Sequence, residues 1–378
     1  GYQALLNNTI GSGNSAFGFG ALSGNTTGGT NTAVGYNALN VNSTGVGNVA
    51  VGNYAMASNG VSSYNTGLGD RALQYNNGGQ YNVGVGVQAL YANRTGNNNT
   101  ALGASALGTN TTGSNNVAIG YQAMFTSDST SYNTAIGYQA MYKGTTGDFN
   151  TVLGYQAMYS NLTGLKNVAL GYQALYTADK TNYNTAIGYY ALYNTTTGDS
   201  NTGVGYGVLQ NNNTGAFNVA IGTSALSAST YGINNVAIGY RSLYTNNTGG
   251  NNVAIGSSAL LVNLSGSNNI AIGTSALASI VSGSSNIAIG QQAMASKING
   301  ASEIGIGYQA LYAADGTSYN TAIGYQAMRL MTTGDFNVAV GHQTLYNNTT
   351  GTNNVAMGYY ALRAVSYTHL RAHETRED

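Results

Sequence analysis

The pattern of hydrophobic and polar side chains along this chain repeats every 17 residues. A glycine marks every repeat from Gly1 through Gly18 and Gly35 to Gly358, giving 22 repeats without an insertion or deletion. We number each repeat from its glycine, so that column 0 is the glycine and columns 1 to 16 follow it. A strict period of this length is typical of coils stacked on one another, one repeat to a coil.

Columns 14 to 16 alternate between large and small side chains, as in Val117-Ala118-Ile119. Column 16 is aliphatic in almost every repeat, column 14 is mostly β-branched, and column 15 is Ala or Gly in nearly every repeat. This alternation with period two predicts a short strand at columns 14 to 16. Column 4 is Leu or Met in all repeats and never Val or Ile, which indicates a buried position outside any regular strand.

A coil this short holds only one or two short strands, so sheets must form between coils. The sequence therefore predicts an all-β fold, a fibrous parallel β-solenoid (β-roll) of 22 coils in which identical columns stack as ladders. We expect residues 1–364 to form one such array, a fragment truncated at both ends, because the chain begins in mid-motif. Residues 365–378 break the period, and Ser366–Thr375 resembles a translated sequencing adapter, so this tail is predicted to be non-native.

Asn occupies column 13 in 20 of the 21 complete repeats, and only Glu303 departs from it. An amide at the start of each strand can bond its own backbone and the amide of the next coil. We predict a structural Asn ladder, represented by Asn116, Asn133, Asn150, Asn167 and Asn184.

The composition excludes several classes of function. Charged residues make up 6% of the chain and the net charge is zero, so no basic surface for nucleic acid is expected. The chain has no Cys and no apolar run of membrane-spanning length. Asp148, Asp199 and Asp335 lie on separate repeats and form no carboxylate pair. We predict no catalytic residues, no metal site, no cofactor and no enzymatic activity; His369 and His373 belong to the excluded tail, and His342 replaces an aromatic residue in column 1.

Sequons of the form N-x-S/T concentrate in column 7. Two interpretations remain open: a row of N-linked glycans along one exposed edge of the solenoid, or a plain Asn-rich turn. The glycosylation candidates are Asn25, Asn42, Asn93, Asn110, Asn161, Asn212, Asn246, Asn263 and Asn348.

Tyrosine is abundant, with 31 residues against no Trp, and concentrates in columns 1 and 5. Two aromatic ladders are predicted, which either pack between coils and chains or offer a platform on which sugars stack. They are represented by Tyr121, Tyr138, Tyr155 and Tyr172 in column 1 and by Tyr142, Tyr159 and Tyr176 in column 5.

The strand repeats, such as Asn116-Val117-Ala118-Ile119-Gly120, resemble those of the YadA-like heads of trimeric autotransporter adhesins and of phage-type tail-fibre shafts. The resemblance implies a homotrimer of β-rolls with small residues at the close approach between chains, a role open to columns 3 and 15. It also implies an extracellular or cell-surface location. Adhesin repeats are usually shorter than the repeat of this chain, which is distinguished by its added loop.

We therefore expect a structural extracellular fibre or adhesin shaft that self-associates, as a trimer or end to end, and attaches to surface carbohydrate or a host surface at many weak points. A phage tail-fibre shaft is the near alternative. An ice-binding solenoid is a third, which would require a regular outward Thr-x-Thr array.

Overall fold

The computed structural model describes residues 1–363, and the predictions for residues 365–378 lie outside this range. The chain divides into two compact units, Gly1–Ser200 and a second that begins at Asn201. Each unit is a parallel β-solenoid with one three-residue strand per coil, and every strand occupies columns 14 to 16. The predicted fold class and strand positions are confirmed. The prediction of a single array over residues 1–364 stays a prediction.

The first unit contains β1 to β11: Ser15–Phe17, Thr32–Val34, Val49–Val51, Thr66–Leu68, Val83–Val85, Thr100–Leu102, Val117–Ile119, Thr134–Ile136, Thr151–Leu153, Val168–Leu170 and Thr185–Ile187. The second unit contains β12 to β21: Thr202–Val204, Val219–Ile221, Val236–Ile238, Val253–Ile255, Ile270–Ile272, Ile287–Ile289, Ile304–Ile306, Thr321–Ile323, Val338–Val340 and Val355–Met357.

Strands of successive coils pair in parallel with a shift of one repeat. Val236 pairs with Val253 and Ile238 with Ile255, and the other pairs follow the same register. Each column therefore stacks on its own copy in the next coil, which we call the next rung.

The chain turns through left-handed backbone at fixed columns. The column 0 glycines from Gly18 to Gly358 have φ between 117° and 142°, a region that side chains rarely enter. Space is limiting there as well, because a Cβ on Gly86 would lie 2.6 Å from the carbonyl oxygen of Gly103 on the next rung. Columns 2, 4 and 12 also adopt positive φ in most rungs.

The left-handed backbone at column 4 explains why that column is only Leu or Met. Every residue in it, from Leu5 to Leu362, has φ between 48° and 56°. A β-branched side chain in this conformation clashes with its own backbone, whereas an unbranched Cβ is tolerated at lower cost. From Leu22 to Leu345 the column is fully buried, so it combines an apolar core residue with a sharp change in chain direction.

The interior of each coil has an apolar wall and a polar wall. Columns 3, 4 and 15 supply the apolar wall, represented by the fully buried Ala157, Met158 and Ala169. Columns 7 and 13 supply the polar wall, which is mostly buried Asn. The large residues of columns 14 and 16 point outward, because the narrow interior accommodates only Ala, Gly or an occasional Val at column 15.

Replacement of Leu175 by Ile should destabilise the protein by about 1–3 kcal/mol, because Ile is strained at the φ of 55° found there. Replacement by Met, which the same column uses naturally, should cost below about 1.5 kcal/mol. Urea unfolding followed by circular dichroism measures both changes. Equal losses for the two variants would contradict the backbone explanation.

Candidate functional site

The Asn residues of column 13 form a continuous hydrogen-bonded ladder inside the coils. The backbone N–H of Asn150 donates to Oδ1 of Asn133 at 2.8 Å, and Nδ2 of Asn150 donates to the carbonyl of Gly164 at 2.9 Å. Oδ1 of Asn150 accepts the backbone N–H of Asn167 at 2.9 Å. The structure gives the same backbone-to-Oδ1 arrangement, with the side chains buried, at Asn116, Asn133, Asn150, Asn167 and Asn184.

Column 7 forms a second buried amide ladder, and the expectation that it lies on an exposed edge is wrong. Nδ2 of Asn93, the atom to which a sugar would be attached, donates to Oδ1 of Asn76 at 2.8 Å and to the carbonyl of Gly96 at 3.0 Å. The glycosylation candidates are at most 1% exposed, and the folded coil has no room for a sugar at any of them: Asn25, Asn42, Asn93, Asn110, Asn161, Asn212, Asn246, Asn263 and Asn348.

The reason for this burial lies in the glycine of column 10. The Gly96 carbonyl points into the coil and accepts Nδ2 of Asn93 on its own rung and Nδ2 of Asn82 on the preceding rung, at 3.0 and 2.8 Å. A buried carbonyl needs such partners. The N-N-T-T-G string therefore encodes an inward-facing turn in which the Asn completes the backbone hydrogen bonding.

The tyrosines of columns 1 and 5 stack ring on ring along successive rungs. In column 1, Tyr138 and Tyr155 have centroids 5.1 Å apart with planes 6° apart, and Tyr172 continues the stack at 5.1 Å. In column 5, Tyr159 stacks on Tyr176 at 5.1 Å and 9°. The remaining members, Tyr121 and Tyr142, stack in the same way on Tyr138 and on Tyr159.

The stacking leaves ring edges and hydroxyl groups, rather than ring faces, to the outside. Tyr155 is 43% exposed although both of its faces are covered by Tyr138 and Tyr172. A sugar that stacks on an aromatic residue needs a free face, which only the ends of a stack provide. The geometry favours packing over the sugar-platform interpretation within the ladders.

Crowding also affects the chemistry of the phenols. Partial burial raises the pKa of Tyr176, and the neighbouring phenols Tyr193 and Tyr159 raise it further. Desolvation likewise raises the pKa of Tyr172, with a contribution from Tyr190. Both phenols therefore stay neutral at physiological pH.

Further ladders were not predicted from the sequence. In column 2, Nε2 of Gln139 donates to Oε1 of Gln122 at 2.9 Å, and Gln156 and Gln173 extend the row. In column 12, aromatic residues stack in pairs: Tyr64 on Tyr81, Tyr132 on Phe149, and Tyr319 on Phe336. The signal that could have identified them is recurrence of the same residue type in one column of successive repeats.

The aspartates of column 11 also have structural partners. Oδ1 of Asp148 accepts the backbone N–H of Ser131 at 2.7 Å, and Asp335 accepts that of Ser318 at 2.8 Å. Each carboxylate thus satisfies a backbone donor of the preceding rung. His342 stacks between Tyr325 and Tyr359 at 4.9 and 5.1 Å, as a member of the column 1 aromatic ladder.

The outward strand face carries a row of exposed aliphatic side chains in column 16. Val34, Leu102 and Leu153 of column 16 are 41%, 47% and 46% exposed. By contrast, Ala118 and Ala123 of columns 15 and 3 are fully buried inside their own coil. The implied role of those small residues at a close approach between chains is therefore wrong, because they have no surface to offer a second chain.

No model of a known protein family matches the chain, and no curated protein matches it significantly. The resemblance to adhesin heads and tail-fibre shafts stays a prediction. Among residues 1–363 no three His, Cys, Asp or Glu side chains come together as metal ligands. Nor does that part of the chain contain a helix able to cross a membrane.

Replacement of Asn150 by Asp should destabilise the protein by about 3–5 kcal/mol at neutral pH, the cost of an uncompensated buried charge. The carboxylate would face the oxygens of Asn133 and Gly164, to which Nδ2 now donates. Burial would raise the pKa of the introduced carboxyl group. The loss of stability should therefore be present above that pKa and should diminish as the pH falls through it. Urea unfolding at neutral pH and near about pH 4 measures the effect. The exposed Asn347→Asp is the control, and an equal cost there would contradict the ladder.

Folded chain secreted from glycosylating cells should carry no sugar at the nine column 7 asparagines, because their Nδ2 atoms are buried and hydrogen-bonded. The exposed sequons at Asn98 and Asn347 are internal controls with room for a glycan. Enzymatic deglycosylation in heavy-oxygen water followed by peptide mass spectrometry identifies each occupied site. Occupancy of any of the nine in soluble, folded chain would contradict this structure.

Proposed function

We propose that the chain is the non-catalytic shaft of an extracellular homo-oligomeric fibre in which the outward strand faces of several copies pack together. The observation that supports this most strongly is the apolar stripe of column 16. It recurs on rung after rung within each unit, and residues such as Leu102 and Ile221 remain 47% and 41% exposed in the single chain. Continuous apolar surface of this kind marks an interaction site.

A second copy of the same chain is the partner that fits the stripe. Its strands carry the same aliphatic column at the same rung spacing, so the contact repeats without loss of register. Self-association through identical surfaces normally produces closed symmetric oligomers. The resemblance to adhesin heads favours three chains.

The chemistry of the surface favours a role in attachment or mechanical support over a role in catalysis. Charged residues are 6% of the chain, and Asp148 and Asp335 are engaged in backbone hydrogen bonds. Fibrous proteins need a surface that repeats, whereas a catalytic site needs an irregular cluster of groups. An extracellular location and a surface target for the fibre come from the resemblance and belong to the same proposal.

Sedimentation equilibrium of the purified chain should give a trimer. The double variant L102K/L153K should be monomeric, because it places ammonium groups in the proposed contact at positions already half exposed. T95K/T146K is the matched control, since it adds the same charges with the same spacing of three rungs on exposed column 9. Circular dichroism checks that both variants remain folded.

A monomeric parent chain, or an L102K/L153K variant that keeps the size of the parent, would overturn the proposed packing. If both variants dissociated alike, the cause would be added charge in general. That result would also overturn the strand face as the contact between chains.

A further inference from the structure

One rung of the second unit carries charges where other rungs carry amides. Lys297 occupies column 7 and Glu303 occupies column 13 of the same repeat. Both side chains are fully buried, and Nζ of Lys297 lies 2.8 Å from Oε2 of Glu303. Among residues 1–363 they are the only charged side chains that are buried.

The Glu303 carboxylate holds two different nitrogens at once. Its Oε2 accepts a hydrogen bond from Nζ of Lys297, and its Oε1 accepts one from Nδ2 of Asn320 on the next rung at 2.7 Å. Nζ of Lys297 also donates to the carbonyl of Thr317 at 3.0 Å. An amine and a carboxamide are thus brought together on the two oxygens of one carboxylate.

The carboxamide of Asn320 is also polarised from its other side. Its Oδ1 accepts the backbone N–H of Asn337 at 2.9 Å and Nδ2 of Asn337 at 3.0 Å. Two donors directed at one carbonyl oxygen are the arrangement that stabilises a developing oxyanion. Asn320 Nδ2 additionally donates to the carbonyl of Gly334 at 2.8 Å.

We propose that Lys297 and Asn320 react to form an intramolecular isopeptide bond, with Glu303 as the acid and base. A proton passes from the Lys297 ammonium to Glu303, and the neutral amine attacks Cγ of Asn320, forming the new C–N bond and an oxyanion on Oδ1. Glu303 then protonates Nδ2, the Cγ–Nδ2 bond breaks, and ammonia leaves. The carboxylate finally takes the remaining proton from Nζ. The sum is amine plus carboxamide giving amide plus ammonia, with no oxidation or reduction.

The surroundings supply what this reaction needs. Lys297 and Glu303 are fully buried, so solvent is kept away from the reacting groups. Fixing both reactants on one group makes the reaction intramolecular. The product replaces a buried ion pair, a costly arrangement, by a neutral amide, and it staples the rung at residues 290–306 to the rung at 307–323.

Mass spectrometry of the full chain, purified folded, tests the proposal directly. We expect an intact mass one ammonia below that of the sequence. Trypsin should fail to cleave after Lys297 and should release residues 242–329 as one peptide, also lighter by one ammonia. A succinimide at Asn299-Gly300 would give the same loss of mass, but trypsin would still cleave after Lys297.

The variants K297R and E303Q should both show the full mass, the first because the nucleophile is gone and the second because the base is gone. K180R, which changes an exposed lysine elsewhere, is the control and should keep the loss of ammonia. Parent chain that has the full mass and is cleaved after Lys297 would overturn the proposal, as would a cross-link that persists in E303Q. The mass and the tryptic cleavage of the parent chain test the proposal even if a variant fails to fold. None of these measurements depends on the oligomeric state.

Discussion

Stacking in register places each interior side chain against the same column of the neighbouring rungs. A polar side chain inside the coil meets the same column on the rungs above and below, so it must be both donor and acceptor. Carboxamides meet this requirement, and Asn133 and Asn150 continue one another without leaving a free group. A hydroxyl is too short to continue an amide ladder, and Oδ1 of Asn110 lacks a partner where Ser127 follows it. A carboxylate or an ammonium cannot stack on its own kind. Lys297 and Glu303 therefore occur together on one rung.

The sequence predicted the strands and the fold because these depend on the repeat period. The period can be read from the sequence without knowing the local conformation of the chain. The sequence did not predict which face of each strand is inside. The alternation of large and small side chains defines two faces of the strand. From side-chain size alone, the face with the large side chains would be expected to be buried. The coil is too narrow for this, since Leu or Met of column 4 already fills the space beside column 15, as Met56 does beside Gly67. Only the closed path of the chain shows that the small face lies inside.

The sequons were misinterpreted for a related reason. A local motif such as Asn93-Arg94-Thr95 describes what an enzyme could recognise in an extended chain, but not where the carbonyls of the following turn will point. The inward direction of Gly96 O is a property of the whole coil, and it determines the position of Asn93. The aromatic columns were easier to predict, because stacking of Tyr138 on Tyr155 needs only the repeat spacing.

The polar wall of the first unit is electrically neutral. Within Gly1–Ser200 every buried polar side chain is Asn, Ser or Thr. Acid unfolds most proteins by protonating carboxylates that folding has paired, and salt weakens the ion pairs that it can screen. The buried polar wall of this unit contains no group that acid could protonate and no charge that salt could screen, and carboxylates that folding pairs, such as Asp148, lie outside that wall. Such a core is still destabilised by solvents that compete for amide hydrogen bonds.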